Sequence, residues 1–259
     1  MALTLAGRHA LVCGSSQGIG AAAAEALAEA GASITLLARN REALETVRGR
    51  LPGSGHAVLV ADFDDPEVVR AVVTAHIAEH GPVHVLVNNA GGPRGGPAHL
   101  AEADAFLSVF RQHLLVNHLL VQTVLPGMCA AGYGRIVNVI STSVKEPIPD
   151  LGVSNTIRGA VASWAKTLAG ELGAHGITVN NVLPGFTRTA RLQSLFAAKA
   201  ERLGIAVSEV ETQARATVPL GRFAEPEEIA AAIAFLASPL AGYVNGINLP
   251  VDGGRTRSL

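Results

Sequence analysis

The sequence lacks most of the features that mark nucleic-acid-binding, disulfide-stabilised or metal-binding proteins. Its 20 basic and 21 acidic residues leave a net charge of −1, so no basic field is available to attract nucleic acid. Only two cysteines occur, Cys13 and Cys129, far apart and without a CxxC motif, which argues against a disulfide framework and against structural zinc. None of the nine histidines lies in an HExxH motif or a His/Cys cluster, so no metal is expected.

Long apolar runs are also absent. The longest candidate for a membrane span, residues 114–131, is interrupted by polar residues and by Pro126. Gly7, Arg8 and His9 break the apolar stretch at the N-terminus, so no signal peptide is expected. Apolar sequence of moderate length is nevertheless abundant, because 49% of the residues are hydrophobic, and this excludes intrinsic disorder. We expect a soluble cytoplasmic protein with no membrane partner.

Seven short runs are almost continuously apolar, which is typical of strands buried on both faces of a sheet. The predicted strands are 10–13, 34–38, 57–61, 83–88, 135–140, 178–183 and 247–251. Longer helical stretches lie between them, and the predicted helices are 18–30, 41–50, 66–79, 103–130, 153–172 and 225–237. This alternation predicts a single α/β domain over residues 1–259, a Rossmann-like, doubly wound sheet of seven mainly parallel strands with helices on both faces.

The segment 189–223 interrupts the alternation with an extra amphipathic stretch. It follows the carboxyl end of the sixth predicted strand, and α/β sheets bind their ligands at that edge. Two interpretations remain open, a mobile lid over a substrate pocket and a packed pair of surface helices.

A glycine-rich loop follows the first predicted strand and opens the first helix. Glycine at 14 allows a tight turn, glycine at 18 lets backbone approach a diphosphate, and glycine at 20 lets the helix pack closely on the strand. The free N–H groups at the helix N-terminus would then face phosphate oxygens. The candidate cofactor-binding residues of this loop are Gly14, Ser15, Ser16, Gln17, Gly18, Ile19 and Gly20.

The end of the second predicted strand reads Leu37-Ala38-Arg39-Asn40. A carboxylate at this place binds the 2′-hydroxyl of the adenosine ribose and favours NAD, whereas an arginine meets the 2′-phosphate of NADP. Arg39 therefore favours NADP(H), with NADPH preferred over NADH. The alternative is a solvated arginine at the start of the next helix.

Further motifs fall in the order and spacing of a known family. Beside the GSSQGIG loop they are Asn88-Asn89-Ala90-Gly91, Gly134-Arg135-Ile136-Val137-Asn138-Val139 leading into Ser141, Pro184-Gly185, and Val251-Asp252-Gly253-Gly254. Over essentially its full length the chain resembles a short-chain dehydrogenase/reductase of the type that includes 3-oxoacyl-acyl-carrier-protein reductases.

The resemblance implies further cofactor contacts. In the family, the position of Asp62 holds the adenine amino group; Asp62 could also cap the helix ahead of Pro66, and both could be true at once. The loop of Asn89 corresponds to the family's loop beside the nicotinamide ribose, although such a strand end is also an ordinary turn. The resemblance implies cofactor contacts at Asp62, Phe63, Asn89, Ala90, Gly91, Pro184, Gly185 and Thr187.

The family's catalytic tetrad is Asn, Ser, Tyr and Lys, and this chain departs from it. Asn117 matches the family's asparagine and Ser141 its serine, which holds the substrate oxygen. Where Tyr-x-x-x-Lys is expected, the chain has Ser154-Asn155-Thr156-Ile157-Arg158. It therefore resembles a divergent subgroup with Ser-Asn-x-x-Arg in place of Tyr-x-x-x-Lys.

The two replacements change the chemistry of proton transfer. Ser154 and Arg158 are four residues apart and share one helix face, so they occupy the usual positions. A serine hydroxyl is a far weaker acid than a phenol, whose pKa is about 10, and no neighbouring cation brings it near neutral pH. Arg158 keeps the positive charge, and its guanidinium can bind ribose hydroxyls or polarise a carbonyl oxygen.

No substitute proton donor is obvious. Tyr133 precedes the fifth predicted strand, at the wrong end of it, and Tyr243 lies near the C-terminus. Lys145, four residues beyond Ser141, is a candidate, or a solvated loop lysine. His113 and His118 flank the tetrad asparagine; either could supply a proton, or both are ordinary helix histidines.

We expect an NADP(H)-dependent oxidoreductase that reduces a carbonyl, 3-oxoacyl-like or another ketone, or oxidises an alcohol, with an atypical proton donor. The candidate catalytic residues are Asn117, Ser141, Ser154, Arg158 and Lys145. The alternatives are a non-catalytic nucleotide-binding protein and a different reaction on the same scaffold. Apolar faces on the helices 103–130 and 153–172 predict a homo-oligomer, a dimer or tetramer.

Overall fold

The computed structural model describes residues 3–258, and seven of its strands form one sheet in the order β3-β2-β1-β4-β5-β6-β7. All neighbouring strands in this sheet are parallel, as the alternating pattern predicts. The strands are β1 (His9–Cys13), β2 (Ser33–Ala38), β3 (Ala57–Val60), β4 (Val85–Asn88), β5 (Gly134–Val139), β6 (Ile177–Pro184) and β7 (Asn248–Val251). The five inner strands are almost wholly buried, which explains their continuous apolar sequence, and the edge strands β3 and β7 are half-buried.

Helices cover both faces of the sheet, and the described residues form nine of them. They are α1 (Gly18–Glu29), α2 (Arg41–Arg48), α3 (Pro66–His80), α4 (Ala103–Phe110), α5 (Val116–Ala131), α6 (Gly152–Leu172), α7 (Ala190–Leu203), α8 (Val207–Ala216) and α9 (Pro226–Ala237). α1, α2 and α9 pack on one face and α3, α5 and α6 on the other, so the sheet lies between two apolar clusters. The chain folds as the predicted Rossmann-like α/β structure.

Two helix starts follow the capping chemistry of the sequence. Asp65 is the N-cap of α3, where its Oδ1 accepts a hydrogen bond from Val68 N at 3.2 Å, and Pro66 takes the first helical position. Glu225 and Glu228 form a capping box at the start of α9.

The predicted helix 103–130 is not a uniform α-helix. Its backbone widens into one turn of π-helix at Arg111–Leu115, between α4 and α5. A π turn accommodates a residue beyond the α-helical repeat and shifts the faces on either side of it. The sequence prediction, which assumes a constant 3.6-residue period, could not detect this turn.

The stretch Ala103–Ala131, which includes that turn, is the one helix in the described part of the chain that is long and apolar enough to cross a membrane. The same length and composition occur in core helices of soluble α/β proteins. Leu120, Val124 and Met128 of this stretch are at most 1% exposed and pack against the sheet.

The segment 189–223 forms the helix pair α7 and α8 around an aromatic cluster. Phe186, Phe196 and Phe223 meet with ring centroids 5.6–5.9 Å apart. The arrangement agrees with the interpretation as packed surface helices, and movement of this pair as a lid stays a prediction.

A chain of buried polar side chains crosses β1, β2 and α3 within one apolar face. His9 Nε2 is hydrogen-bonded to Thr35 Oγ1 at 2.7 Å, and the same oxygen is hydrogen-bonded to His76 Nε2 at 2.8 Å. His80 stacks on His76 with ring centroids 4.3 Å apart. We call His9, Thr35, His76 and His80 the histidine cluster.

Candidate active site

The predicted site residues follow the carboxyl ends of several neighbouring strands. The chain builds β1, β2 and β3 in one direction and then places β4 on the other side of β1. Such a switch of direction opens a crevice at the carboxyl ends of the strands, where α/β sheets bind ligands. The loops after β1, β4, β5 and β6 all reach this edge, which brings together the glycine loop, Asn89, Ser141 and Gly185.

The glycine loop cannot carry side chains at its turning points. Gly14 has φ +58° and Gly18 has φ +56°, in the left-handed region that favours glycine. A β-carbon on Gly14 would overlap the carbonyl oxygen of Asn89, and one on Gly20 would overlap the carbonyl oxygen of Gly14. The loop is therefore shaped for close approach of backbone to a ligand.

The first turn of α1 leaves its N–H groups available. Gln17, at the N-cap position, is exposed and its side chain makes no capping hydrogen bond. Ser15 is fully buried, and its hydroxyl oxygen accepts a hydrogen bond from Leu37 N at 3.0 Å, so this side chain ties the loop to β2. Ser16, Gly18 and Ile19 are partly exposed, and Ile19 packs against the apolar cluster of this face. A diphosphate fits this cradle because free N–H donors and the positive helix end point toward it.

At the end of β2, Arg39 lies close to Asp62. Arg39 Nη1 is 3.6 Å from Asp62 Oδ2, and both side chains are largely exposed. The alternative in which Asp62 caps the following helix is wrong, because Asp65 is the N-cap of α3 and Asp62 Oδ1 accepts Asp64 N at 3.0 Å. Phe63 is half-buried against the apolar cluster of that face.

The loop after β4 is held from two sides. Asn89 Nδ2 donates to the carbonyl oxygens of Cys13 and Gly14, at 3.2 Å each, so this side chain ties the loop to the glycine loop. His113, in the π turn, is hydrogen-bonded through Nε2 to Gly91 O at 3.0 Å. Ala90 between them is half-buried. Both contacts are structural, and they place the loop beside the crevice.

The loop after β6 packs equally tightly. A β-carbon on Gly185 would lie 2.7 Å from Asp252 Cα, so the motifs around Pro184 and Asp252 meet as neighbours. Thr187 is buried and its hydroxyl donates to Gly185 O at 3.2 Å. Sequence reasoning missed Thr189, the N-cap of α7, whose Cγ2 lies 3.2 Å from the position of a Gly18 side chain. A threonine before an amphipathic run was the available signal.

Ser141 and Arg158 meet the end of β5. Ser141 Oγ accepts Ser143 N at 3.0 Å and begins a short 3₁₀ turn, Thr142–Val144. Arg158, on α6, is 8% exposed, and its Nη1 donates to Val139 O, the last residue of β5, at 2.8 Å. Ser154 is half-buried one helical turn earlier. Ser154 and Arg158 lie one turn apart on α6, and their roles in place of the family's tyrosine and lysine stay a prediction.

Burial sets the charges around this arginine. It lowers the pKa of Arg158 to about 10, with a smaller contribution from the neighbouring Arg191, so Arg158 stays positive at neutral pH. Burial, and then the charge of Arg158, lower the pKa of His113 well below its usual value. His113 is therefore neutral at neutral pH. Asn117, at the start of α5, is 6% exposed.

The other candidate proton donors lie at different distances from the carboxyl ends of the strands, where the site is. Tyr133 Oη donates to Ala237 O at 2.7 Å, at the opposite edge of the sheet, and Tyr243 is fully exposed. His118 contacts Trp164 edge to face, with ring centroids 6.4 Å apart. Lys145 is half-buried and directly follows the 3₁₀ turn that Ser141 begins, so it lies at the correct sheet edge.

A second arginine enters the site from α7, and sequence reasoning missed it. Arg191 Nη2 donates to Pro93 O, in the loop between β4 and α4. Its Nε and Nη2 lie 3.3 Å from the position of a Gly92 side chain. Burial lowers the pKa of Arg191. Its place could not be read from the sequence because the fold brings together positions 98 residues apart.

The C-terminal segment closes the other side of the crevice. Arg255 Nη1 donates to Thr142 Oγ1 at 3.4 Å, and its guanidinium carbon lies 4.8 Å from the centroid of the Phe186 ring. Glu146 Oε1 accepts hydrogen bonds from Arg257 N at 2.6 Å and Ser258 N at 2.9 Å. The loop after Ser141 is therefore fastened to the tail of the chain.

The cysteines and acidic residues offer no metal site within residues 3–258. No group of three or more His, Cys, Asp or Glu side chains there could hold a metal ion. Both cysteines are free, and burial raises the pKa of the Cys13 thiol to about 12, which makes it unreactive.

A Rossmann-like fold with a glycine cradle at the strand switch point, and with Ser141 and Arg158 at the end of β5, is typical of a dinucleotide-binding protein of oxidoreductase type. The comparisons agree. The family model described as enoyl-(acyl carrier protein) reductase matches residues 14–256. The 3-oxoacyl-(acyl-carrier-protein) reductase FabG of Vibrio cholerae is 35% identical over 97% of this chain and 98% of its own length. The gluconate 5-dehydrogenase of Gluconobacter oxydans is 32% identical over 99% of this chain and 97% of its own.

Solved structures give the same family. An actinorhodin polyketide ketoreductase with NADPH has a TM-score of 0.91 and 33% identity, covering 96% of this chain and 97% of that one. The L-sorbose reductase of Gluconobacter frateurii, complexed with NADPH and L-sorbose, has a TM-score of 0.91 and 31% identity over 100% of both chains. The chain belongs to the short-chain dehydrogenase/reductase family.

Proposed function

We propose that the protein is an NADP(H)-dependent oxidoreductase that reduces a carbonyl group, in a 3-oxoacyl-like or another ketone, or oxidises the corresponding alcohol. The glycine cradle and the free first turn of α1 support binding of a dinucleotide diphosphate. Arg39, 73% exposed at the end of β2, supports NADP(H) because it can meet a 2′-phosphate. The relatives whose structures contain NADPH support the same choice.

The observation that carries the proposal is the buried, positively charged Arg158 bonded to the end of β5 beside Ser141. Ser141 holds the substrate oxygen, and Arg158 binds ribose hydroxyls and stabilises negative charge that develops on that oxygen. When bound, NADPH supplies the hydride that the carbonyl carbon accepts and is left as NADP⁺. Asn117, buried at the start of α5, takes the place of the family's asparagine in this proposal.

The proton for the substrate oxygen comes from solvent in this proposal. Ser154 cannot ionise near neutral pH, and His113 is neutral and engaged with Gly91. A water held by the Ser154 hydroxyl fills the space of the family's phenol. Lys145 is the second candidate because it lies at the same edge.

Calorimetric titration with NADPH and with NADH tests the cofactor. We expect NADPH to bind more tightly, and Arg39→Gln to weaken NADPH binding about 10- to 100-fold while leaving NADH binding unchanged, because a charge-assisted contact to the 2′-phosphate is lost. Arg41→Gln is the matched control, since Arg41 is equally exposed and contacts Glu45. Failure of both dinucleotides to bind would refute the proposal.

A non-catalytic nucleotide-binding role is the second candidate. One observation supports this role: neither tyrosine of the described chain lies at the carboxyl ends of the strands. Tyr133 is hydrogen-bonded to Ala237 O, and Tyr243 is on the surface. In that case dinucleotide binding would persist without turnover of any carbonyl compound.

We also infer a homo-oligomer, a dimer or tetramer, that works in the cytoplasm on small-molecule carbonyl or alcohol substrates, with α7 and α8 as a lid. Three large apolar side chains of α4 and the π turn are exposed: Leu107, Phe110 and Leu115, at 60%, 42% and 38%. Adjacent apolar side chains of this size favour burial against a second copy. Light scattering of the purified protein measures the assembly.

A further inference from the structure

Arg158 and Arg191 are two neighbouring arginines, and within residues 3–258 neither has an acidic partner. Arg158 is buried and Arg191 is half-buried. Each guanidinium donates one hydrogen bond to a backbone carbonyl oxygen, Arg158 to Val139 O and Arg191 to Pro93 O. The two are close enough for the charge of Arg191 to lower the pKa of Arg158. Among the described residues no carboxylate forms an ion pair with either arginine.

Acidic residues on the neighbouring segments are already engaged. Asp150 pairs with Arg202 at 2.7 Å, and Glu225 pairs with Arg188 at 2.8 Å. Glu146 accepts backbone hydrogen bonds from the C-terminal segment. Two desolvated like charges are costly to bring together, and each guanidinium retains unused N–H donors. An anion from outside the chain would satisfy both.

Such an anion could belong to the cofactor or to the substrate. The dinucleotide diphosphate has its own cradle at the glycine loop and α1. Arg191 contacts Gly92 and Pro93, in the loop between β4 and α4, and lies two residues after Thr189, whose side chain is next to Gly18. Because the diphosphate is held by the glycine loop, the two arginines are left for a second anion, and arginine suits a carboxylate through two parallel hydrogen bonds.

We propose that Arg158 and Arg191 together bind a carboxylate of the substrate, so that the substrate is an oxo acid or the corresponding hydroxy acid. This rests on the proposed oxidoreductase function and names its substrate class. The carbonyl oxygen lies at Ser141 and the carboxylate at Arg191, with the guanidinium of Arg158 between them. Neutral ketones of the same size lack the group that the arginine pair is built to bind.

Calorimetric titration of the protein saturated with NADP⁺ tests the proposal with malonate as the probe and dimethyl malonate as its neutral counterpart. Malonate is expected to bind and the ester not. Arg191→Gln is expected to weaken malonate binding about 10- to 100-fold, because a charge-assisted pair of hydrogen bonds is lost. Arg191→Lys retains the charge and recovers part of the affinity. Arg202→Gln removes the same charge from the same helix, where Arg202 is exposed and paired, and leaves malonate binding unchanged.

The outcomes separate this proposal from the proposed function. If NADP⁺ binds but malonate does not, or binds Arg191→Gln as tightly as the native protein, the carboxylate site is refuted and the oxidoreductase stands. If Arg191→Gln weakens NADP⁺ and leaves malonate untouched, the arginine belongs to the cofactor and the proposal is overturned. If NADP⁺ does not bind at all, the proposed function fails, and malonate titration of the cofactor-free protein decides the arginine pair by itself.

Discussion

With Ser154 in place of tyrosine, the site near the end of β5 lacks the family's side-chain proton donor. The side chain is half-buried one helical turn before Arg158, where a phenol would otherwise reach the substrate oxygen. A serine hydroxyl is both shorter and much less acidic. Proton transfer through a positioned side chain contributes about 10²- to 10⁴-fold to rate, so its loss slows a reductase without abolishing it.

The double variant Ser154→Tyr with Arg158→Lys is therefore expected to raise turnover of ketones with NADPH by about 10- to 100-fold, because it restores a side-chain acid and a cation beside it. Steady-state kinetics with a panel of oxo acids and neutral ketones measures the gain. The single variant Ser154→Phe adds the ring without the hydroxyl and is expected to give none. A double variant that binds NADPH and still shows no gain would favour the non-catalytic alternative.

The individual site residues divide into those that local sequence predicts and those that only the fold can place. The glycine loop was predicted because each glycine answers a local requirement, and Ser141 and Arg158 because they keep the family's register. The hydrogen bonds by which Ser15 and Asn89 fasten their loops could not be predicted from the sequence, because their partners Leu37 and Cys13 lie on other strands. Arg191 was not predicted for the same reason.

Among the elements, the start of α6 is packed more tightly than its sequence suggests. Gly152 opens the helix, its N–H donates to Gly96 O at 3.0 Å, and a β-carbon there would lie 2.5 Å from Ala98 Cα. The loop between β4 and α4 is thus seated directly on the helix that carries Ser154 and Arg158.

Gly152→Ala is expected to destabilise the protein by about 1–3 kcal/mol, because the added methyl group forces this loop away from α6. Urea denaturation measures the loss. NADPH affinity is expected to change little, since the glycine cradle lies after β1.

The matched control is Gly170→Ala on the same helix. Gly170 is exposed, and a β-carbon there would have no atom within 4 Å, so the substitution is expected to stabilise α6 by about 0.5–1 kcal/mol through helix propensity. Equal effects at the two positions would contradict the close packing at Gly152.

The elements themselves were largely predictable. Inner strands are buried on both faces, so their apolar runs identify them, and the capping chemistry at Asp65 and Glu225 identifies two helix starts. The π turn at Arg111–Leu115 and the packing of α7 against α8 were not predictable, because both depend on contacts between distant segments.

At the scale of the whole molecule, the histidine cluster couples stability to pH. Burial, and then the charge of His76, lower the pKa of His9 from 6.5 to about 4. Below pH 6.5 the unfolded chain takes up a proton that the folded chain refuses until about pH 4, so stability falls as the pH falls through this window. His76 shifts in the same direction, again through burial first.

We expect the free energy of unfolding to drop between pH 7 and pH 5, with about 2 kcal/mol of the loss due to His9. Urea denaturation at the two pH values measures it. In His9→Gln, whose amide can still bond Thr35, the drop is expected to be smaller by that amount. His175→Gln removes an exposed histidine and is expected to retain the full drop. An unchanged drop in His9→Gln would contradict the cluster as its source.

The order of the strands in the sheet is a property of the whole molecule that sequence patterns predict only in part. Alternation of strand and helix predicts parallel pairing, whereas no single strand's sequence predicts the order β3-β2-β1-β4-β5-β6-β7, which the structure shows. The switch of direction between β1 and β4 is what locates the site.

The hydrogen bonds from Arg257 and Ser258 to Glu146 have a practical consequence for anyone who expresses this protein. They fasten the C-terminal segment to the loop that follows Ser141, so a purification tag joined at that end would pull on the catalytic edge. His9 opens β1 at the opposite edge of the sheet. A tag at the N-terminal end leaves the crevice clear, and assays and crystals are best prepared from protein tagged there.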